Sequence, residues 1–316
     1  MKGRENFGAL IVTIVFVGLI SMGGILPITA YGQALDHPMA LLTSSLNQGS
    51  HLNGDNNNNT QCKCVVFRLD DVQGDWIENA QLAPMNLFIS KNQSLTLGLI
   101  MNPVGNDTKI INKVHEGQQK GLFELALHGW NHVNYTKLSE QEQKNSLLNA
   151  NEKMQRLVGH KSNIFITPYD TFNNNTLKAM NQLGLRVLSS GARAENSFDQ
   201  GKSVFISDGK INTNETQRVV YHLPSTITYR DFVNGTWIKI PLKEILTAAD
   251  NNIAKYGYAV IVLHPQDFAQ SIVTVDKNGK YVNLVNLSEI ADLSHLIDSI
   301  LAEKIHITTF SKIVGI

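Results

Sequence analysis

Short apolar runs alternate along most of this chain with longer segments of helical period, and this alternation limits the folds that are possible. Eight runs of six or seven residues are predicted to be strands, at 65–70, 95–101, 122–128, 163–168, 185–190, 219–224, 259–265 and 305–310. Strands that alternate with helices form a parallel sheet covered by helices, and at about 250 residues the barrel is favoured over the open sheet. The sequence therefore predicts an α/β barrel.

The segments between these runs carry the signals of amphipathic helices. The clearest begins at Ser139, because Ser139 and Glu142 have the spacing of a capping box. Helical periodicity also begins at Leu242 and at Leu287. The rhythm breaks in residues 191–236, which are rich in loop-forming residues and are predicted to add a hairpin or a lid.

The first 34 residues have the composition of a segment that enters a membrane. A short basic head precedes residues 7–28, which carry no charge, and small residues follow at Gly32 and Ala34. This layout fits a signal peptide at 1–34, and it also fits an uncleaved transmembrane anchor, because about 20 apolar residues suffice to span a bilayer. In both cases the rest of the chain is expected to be extracellular or anchored to the outer face of the cell membrane.

The segment that follows is predicted to be a tether. Residues 35–61 are rich in Asn, Ser and Gly and suit a flexible linker, so the folded domain is expected at 62–316. Eight Asn-x-Ser/Thr sequons agree with export. The two cysteines, Cys62 and Cys64, are too few for a zinc site or a disulfide framework. Because their spacing would strain a disulfide ring, we expect no bridge within the chain; the alternative is an intermolecular link.

The charge balance excludes one class of partner. Lys plus Arg and Asp plus Glu each number 27, so the net charge is zero and no basic field concentrates the chain on nucleic acid. Membrane contact is expected only through the N-terminal segment. The sequence gives no indication of oligomeric state.

Polar side chains follow four of the predicted strands at the point where each strand ends. Asp70 and Asp71 end the first strand, His128 ends the third, Tyr169 follows the fourth, and His264 ends the seventh. Because the carboxyl ends of parallel strands meet at one edge of the sheet, these groups are expected to lie close together. A functional site is therefore predicted at that edge.

Two of these residues and one neighbour suggest a metal. His128 and His132 are four residues apart, so on one helical turn both rings would face the same side. With Asp71 they form the ligand set of a catalytic zinc site with an open fourth position, and Co²⁺, Ni²⁺ or Fe²⁺ would fit the same ligands. The alternatives are surface or helix-capping histidines and a turn that ends the first strand.

Asp70 and His264 are placed for acid–base chemistry beside such a metal. A carboxylate next to a metal ligand can stay free to accept a proton from water. His264 would face it from across the mouth of the barrel, where a general acid is needed. For His264 the alternative is a core histidine whose hydrogen bonds are satisfied.

These residues together resemble the polysaccharide deacetylase family, also called the NodB homology domain or carbohydrate esterase family 4. The Thr-Phe-Asp-Asp motif of that family is similar to Arg68–Asp71, and its His-(Ser/Thr)-x-x-His motif is similar to His128–His132. Its Arg-x-Pro-Tyr motif is partly met by Ile166–Tyr169, and its Leu-x-His strand end resembles Val262–His264. The motifs occur in the order of the family and span about residues 62–312.

The resemblance implies a distorted (β/α)7 TIM-like barrel of NodB type that removes acetyl groups from N-acetylated sugars with a divalent metal, Zn²⁺ first. It also implies a role for each site residue: Asp70 as the base, Asp71, His128 and His132 as metal ligands, His264 as the acid, and the backbone N–H of Tyr169 as an oxyanion donor. The implied partner is an acetylated glycan.

The sequence departs from the family pattern at three places. Ile166 stands where the family has an arginine that braces the catalytic base, and Arg68 stands where threonine is usual. The fourth motif, which carries an aspartate that orients the acid histidine, is not recognisable in residues 188–199. Arg68 or Arg193 is a candidate replacement for the missing arginine.

Two further hypotheses stay open beside the deacetylase. One is a non-catalytic glycan-binding envelope protein on the same fold, in which Trp76, Trp130 and Tyr169 stack on sugar rings, with core packing as the alternative for at least one of them. The other is a hydrolase of other amide or ester bonds.

Overall fold

The computed structural model describes residues 62–191, 203–206, 219–275 and 281–316. The signal or anchor expected at 1–34 and the linker expected at 35–61 lie outside these residues, as does Arg193. Asn58–Ile316 form one compact unit. Among the described residues, no helix is long and apolar enough to cross a membrane.

The strands and helices alternate along the chain as the sequence indicated. The strands are β1 (Cys64–Val72), β2 (Leu95–Leu99), β3 (Phe123–Leu127), β4 (Ile164–Ile166), β5 (Val187–Ser189), β6 (Ser203–Ile206), β7 (Val219–His222), β8 (Ile227–Thr228), β9 (Arg230–Val233), β10 (Thr236–Lys239), β11 (Tyr258–Leu263), β12 (Ala269–Val275), β13 (Tyr281–Val285) and β14 (His306–Thr308). The helices are α1 (Glu78–Ser90), α2 (Thr108–Gln119), α3 (Glu140–Val158), α4 (Asn174–Leu183), α5 (Leu242–Tyr256), α6 (Leu287–Ala302) and α7 (Phe310–Val314).

One main sheet organises the molecule. Within the described residues its strand order is β6-β7-β5-β4-β3-β2-β1-β11-β8, and β14 adds to β1. Neighbouring strands are parallel except β6 and β7, which are antiparallel. The sheet curls into a half-barrel, which confirms the predicted α/β fold of the (β/α)7 NodB type.

The two faces of the sheet bury different sets of residues. On β1, Val65, Phe67 and Leu69 belong to the apolar cluster that the helices cover. Cys64 and Val66 belong to a second cluster, made mostly of strand residues, on the inner face. Because strand residues alternate between faces, the next residues of the inner series are Arg68 and Asp70. The inner face thus changes from apolar to charged towards the carboxyl end of β1.

Each predicted strand run overlaps an observed strand, and the three predicted helices are confirmed as α3, α5 and α6. The capping box of Ser139 and Glu142 is present at the start of α3. A hairpin, β9–β10, begins in the loop-rich stretch where a hairpin or lid was expected, and it extends three residues beyond residue 236.

The expectation that the cysteines form no bridge within the chain was wrong. Cys62 and Cys64 are joined by a disulfide, with their Cα atoms 5.3 Å apart. Residues two apart in an extended chain point to the same side, so the two side chains meet just where β1 begins. The Cα separation lies inside the range that disulfides adopt.

Candidate metal and acid–base site

Three residues that were predicted as metal ligands lie together at the carboxyl ends of β1 and β3. Asp71 Oδ1 is 3.3 Å from His128 Nε2 and 3.2 Å from His132 Nε2. The three ligand atoms all lie within 4.8 Å of one another. Two imidazoles and one carboxylate at this separation can surround one cation.

Asp70 and Asp71 reach the same cavity because the end of β1 is irregular. In a regular strand consecutive side chains point to opposite faces. Here the pairing of β1 with β2 shifts register between Leu69 and Val72, and Asp71 has a left-handed backbone with φ of 59°. Both carboxylates therefore line one cavity.

His128 and His132 lie on a loop after β3, and not on the helical turn that their spacing suggested. Gly129, with φ of 83°, reverses the chain between them. The buried His128 places Nδ1 2.9 Å from the carbonyl oxygen of Ile166. A carbonyl oxygen can only accept a hydrogen bond, so Nδ1 of His128 is the protonated donor. In the neutral ring Nε2 then carries a free lone pair, and it is the nitrogen that faces Asp71.

A divalent metal fits these residues. Within the described part of the chain, the buried Asp71 Oδ1 has no hydrogen-bond partner, although it faces two imidazole nitrogens. Burial raises the pKa of Asp71, but the contact with His128 and the charges that the neighbouring histidines carry when protonated outweigh it and bring the pKa to about 2. Asp71 is therefore an ionised carboxylate at neutral pH, which is the form that binds metal.

Asp70, the predicted base, is held by Arg68. The Nε and Nη2 atoms of Arg68 lie 3.1 and 2.9 Å from Oδ2 of Asp70, and both residues are buried. The other oxygen, Asp70 Oδ1, has no hydrogen-bond partner among the described residues. One oxygen of Asp70 is thus fixed, and the other is available to accept a proton.

Arg68 also binds Asp170, a residue that the sequence reasoning missed. Arg68 Nη2 is 2.6 Å from Asp170 Oδ1, and the hydroxyl of Ser225 donates to Asp170 Oδ2 at 3.0 Å. Burial raises the pKa of Asp170, but the charge of Arg68 and its hydrogen bonds lower it below its usual value. In the sequence, Asp170 could have been noticed because it directly follows the Pro-Tyr motif.

His264, the predicted acid, is oriented by another residue that the sequence reasoning missed. Its backbone N–H donates to Asp267 Oδ2 at 2.7 Å, and the backbone N–H of Asp267 donates to its carbonyl oxygen at 3.0 Å. Burial raises the pKa of Asp267 to about 6. The fourth-motif aspartate of the family is not recognisable in this sequence, and Asp267 lies three residues after the histidine itself.

Tyr169 follows β4 in a left-handed conformation, with φ of 60°. Its side chain is 60% exposed, and its ring lies 4.6 Å from the ring of His132. Tyr169 therefore stands at the rim of the site, next to a proposed metal ligand.

All the predicted site residues line one cavity of about 290 Å³: Asp70, Asp71, His128, His132, Tyr169 and His264. A second cavity of about 420 Å³ shares Asp71 and His132 with the first and is lined by Trp76. The space around the candidate ligands is thus open on two sides. Trp130 instead packs against the core, with Lys153 Nζ 5.6 Å from its ring centroid.

Two aromatic residues that the sequence reasoning passed over also line the first cavity. Phe232 and Trp237 face each other across the β9–β10 hairpin, with ring centroids 5.1 Å apart. The ring of Trp237 lies 6.1 Å from that of His264. The signal for them was weak, because a loop-rich sequence does not show where its aromatic residues point.

Part of the chain resembles a known family in sequence. Residues 57–188 match the family model described as polysaccharide deacetylase. The match covers the first part of the folded domain and agrees with the resemblance that the sequence motifs carry. No curated protein matches the sequence.

Two solved structures share the fold. A protein of Mycobacterium smegmatis that is assigned as a polysaccharide deacetylase superposes with a TM-score of 0.59 at 15% identity, over 81% of this chain and 90% of its own. The Xyl-CE4 domain of a multidomain xylanase from the hindgut metagenome of Trinervitermes trinervoides gives a TM-score of 0.50 at 15% identity, over 80% of this chain and 89% of that domain. At these identities the likeness is one of fold.

Proposed function

We propose that this chain is a metal-dependent hydrolase that removes N-acetyl groups from an extracellular or cell-surface glycan. The observation that carries the proposal is the convergence of six residues on one cavity: two neighbouring carboxylates, three histidines and Tyr169. The match of residues 57–188 to the polysaccharide deacetylase model supports the reaction class.

Asp71, His128 and His132 would hold the metal, with Zn²⁺ as the first choice and Co²⁺, Ni²⁺ or Fe²⁺ as alternatives for the same ligands. When bound, the metal supplies Lewis-acid chemistry: it polarises the acetyl carbonyl and lowers the pKa of water.

Asp70 acts as the base through its free oxygen. Arg68 binds Oδ2, so Oδ1 is the atom that accepts the proton of the attacking water. The protein excludes bulk water from this carboxylate, because Asp70 is only 2% exposed.

His264 acts as the acid that protonates the leaving amine. Asp267 holds the backbone of His264 through the hydrogen bond to Oδ2, and the His264 side chain lines the cavity. Tyr169 donates its backbone N–H to the oxyanion that develops on the substrate carbonyl.

The rim of the site suits a sugar chain. Tyr169, Trp237 and Phe232 are exposed and line the smaller cavity, and Trp76 lines the larger one. Aromatic rings bind the apolar faces of sugar rings, so a glycan that crosses the site would contact rings on both sides. The N-terminal segment, residues 1–34, would carry this domain to the outside of the cell.

The first test is metal content together with acetate release. We expect about one metal per chain in the full-length protein by elemental mass spectrometry, and its loss in Asp71→Ala and His132→Ala. Acetate release from penta-N-acetylchitopentaose should disappear with chelator and in His128→Ala. His160→Ala is the matched control, since His160 is an exposed histidine bonded to Gln118. Release that survives both chelator and His128→Ala would refute the metal mechanism.

The same acetate assay separates this proposal from its alternatives. Turnover of acetylxylan or 4-nitrophenyl acetate without turnover of the chitooligosaccharide would favour the hydrolase of other bonds. Binding of the oligosaccharide without turnover of any acetylated probe would favour the glycan-binding protein.

A further inference from the structure

Arg68 is a charged residue at the centre of the inner face of the sheet. It is 1% exposed, and the residues before it in the inner series, Cys64 and Val66, are apolar. A buried guanidinium is strongly unfavourable unless carboxylates and hydrogen-bond acceptors surround it. The partners of Arg68 therefore account for its presence there.

The partners of Arg68 leave its guanidinium little freedom. Nε and Nη2 both contact Oδ2 of Asp70, Nη2 also contacts Asp170, and Nη1 donates to Ser189 Oγ at 2.8 Å. Ser189 in turn donates to the carbonyl of Leu223 at 2.9 Å. Because β1, β5 and the segment after β4 all hold the guanidinium, the carboxylate of Asp70 has one preferred orientation.

The side chain at position 166 lies in the same neighbourhood. A Cβ atom on Gly98 would lie 3.2 Å from Asp70 Oδ1 and 3.4 Å from Cδ1 of Ile166. Ile166 is fully buried on β4, and only its backbone oxygen takes part in the polar site, where it accepts from His128. A longer side chain at position 166 could therefore reach the carboxylate of Asp70.

We propose that Arg68 is the positioning residue of the catalytic base, and that position 166 can take over this task when Arg68 is removed. Arg68 does not contact the reacting atoms; it acts by holding Asp70 Oδ2 so that Oδ1 points into the cavity. The inference rests on the proposed deacetylase function, and it adds that in this chain the arginine that holds the catalytic base lies on β1 instead of on β4.

The test moves the arginine from one strand to the other in the full-length protein. Arg68→Thr removes the brace, Arg68→Thr/Ile166→Arg relocates it, and Arg68→Thr/Ile164→Arg is the matched control. Ile164 is also buried on β4 and on the same face, but it lies two residues further from the site. The assay measures kcat and KM for acetate release from penta-N-acetylchitopentaose.

We expect Arg68→Thr to lower kcat about 100-fold with KM changed less than about twofold, because a misplaced base slows the chemical step and not binding. Relocation to position 166 should restore kcat about tenfold or more, and relocation to position 164 should restore none. A kcat of Arg68→Thr that equals wild type, or equal recovery from both relocations, would overturn the proposal.

Two additional measurements cover the other outcomes. If Arg68→Thr does not fold, Arg68→Lys keeps the charge but has one donor group in place of the planar fork, and it should lower kcat with KM unchanged. Wild-type kcat in Arg68→Lys would then overturn the proposal.

If the wild type releases no acetate, the proposed function fails, and the unfolding temperature tests whether Arg68 holds Asp70. If Ile166→Arg restores the unfolding temperature of Arg68→Thr and Ile164→Arg does not, the proposal is supported. If Ile166→Arg does not restore it, the proposal is rejected.

Discussion

At the scale of single residues, the candidate site depends on backbone conformations that most side chains avoid. Asp71 and Tyr169 both have left-handed backbones, with φ of 59° and 60°, and Gly129 between the histidines has φ of 83°. Such conformations cost about 1 to 3 kcal/mol each for residues other than glycine, and they persist where the surrounding structure fixes them. Here they turn the side chains of Asp71 and Tyr169 towards the cavity.

Gly129 offers a direct test of this dependence. A Cβ atom at this position would lie 2.9 Å from the carbonyl oxygen of Asn131 and 3.1 Å from Tyr135 Oη. We expect Gly129→Ala to lower the unfolding temperature and to weaken Zn²⁺ binding about tenfold, because the loop that carries His132 must shift. Gly121 is the control, since it also has positive φ, 67°, but open space around its Cβ position. Zn²⁺ affinity of Gly129→Ala equal to that of Gly121→Ala would contradict this account.

His222, on β7, should make stability depend on pH. Its burial lowers its pKa from 6.5 to about 4, although the backbone of Ser190 and the charge of Asp170 favour the protonated form and the charge of Arg68 opposes it. A group whose pKa is lowered by folding stabilises the protein above its unfolded pKa and loses that contribution as the pH falls. Between pH 6.5 and pH 4, His222 should therefore remove up to about 3 kcal/mol from the free energy of unfolding.

The measurement is urea unfolding of the wild type and His222→Gln at several pH values. The variant should lose less stability on acidification than the wild type does. His160→Gln, which removes an exposed histidine, should follow the wild-type curve. Parallel curves for the wild type and His222→Gln would show that the burial of His222 does not affect stability in this way.

At the scale of strands and helices, the sequence predicted what depends on local periodicity. The parallel strands are buried on both faces, as in β1, and most of their residues form short apolar runs, so their positions could be predicted. The capping box likewise predicted the start of α3. The site residues could be predicted because they follow strand ends. The register shift in β1 could not be predicted, because it arises from pairing with β2, which has no local signal.

Contacts between residues far apart in the sequence could not be predicted either. The pairing of Arg68 with Asp170 joins residues 102 positions apart, so no spacing pattern reveals it. The same holds for Trp237, which reaches the cavity only because the β9–β10 hairpin folds towards His264. The disulfide is different, since its cysteines are only two residues apart, and the expectation failed there because spacing alone does not determine backbone geometry.

The β9–β10 hairpin should control the binding of long substrates. We expect Trp237→Ala and Phe232→Ala each to raise KM for penta-N-acetylchitopentaose about fivefold, because each removes one aromatic contact of about 1 kcal/mol. The rate with 4-nitrophenyl acetate should stay unchanged, since this probe is too small to need the hairpin. Ile238→Ala is the control, because Ile238 is 50% exposed on the same hairpin but does not line the cavity. A similar KM increase in all three variants would indicate that the hairpin has only a structural effect.

At the scale of the whole molecule, the two ends of the sheet have different tasks. The carboxyl ends of β1, β3, β4 and β11 carry the candidate site. Near the amino end of β3, Glu124 accepts from Thr96 Oγ1 at 2.8 Å and from the backbone N–H groups of Phe310 and Ser311, each at 2.9 Å. This carboxylate attaches α7 to the sheet, and Phe310 packs into the inner cluster. Residues at this end should therefore determine stability and not chemistry.

Glu124→Ala and His128→Ala should show this separation within a single strand and its following loop. We expect Glu124→Ala to lower the free energy of unfolding by about 2 to 3 kcal/mol, because it leaves backbone donors at the start of α7 without their charged acceptor. Its Zn²⁺ content and kcat/KM should match the wild type. His128→Ala should lose Zn²⁺ and activity, while Glu152→Ala, at an exposed position of α3, should change neither stability nor activity. If Glu124→Ala lost metal while still folded, the two ends of the sheet would be coupled, and stability and chemistry could not be assigned to them separately.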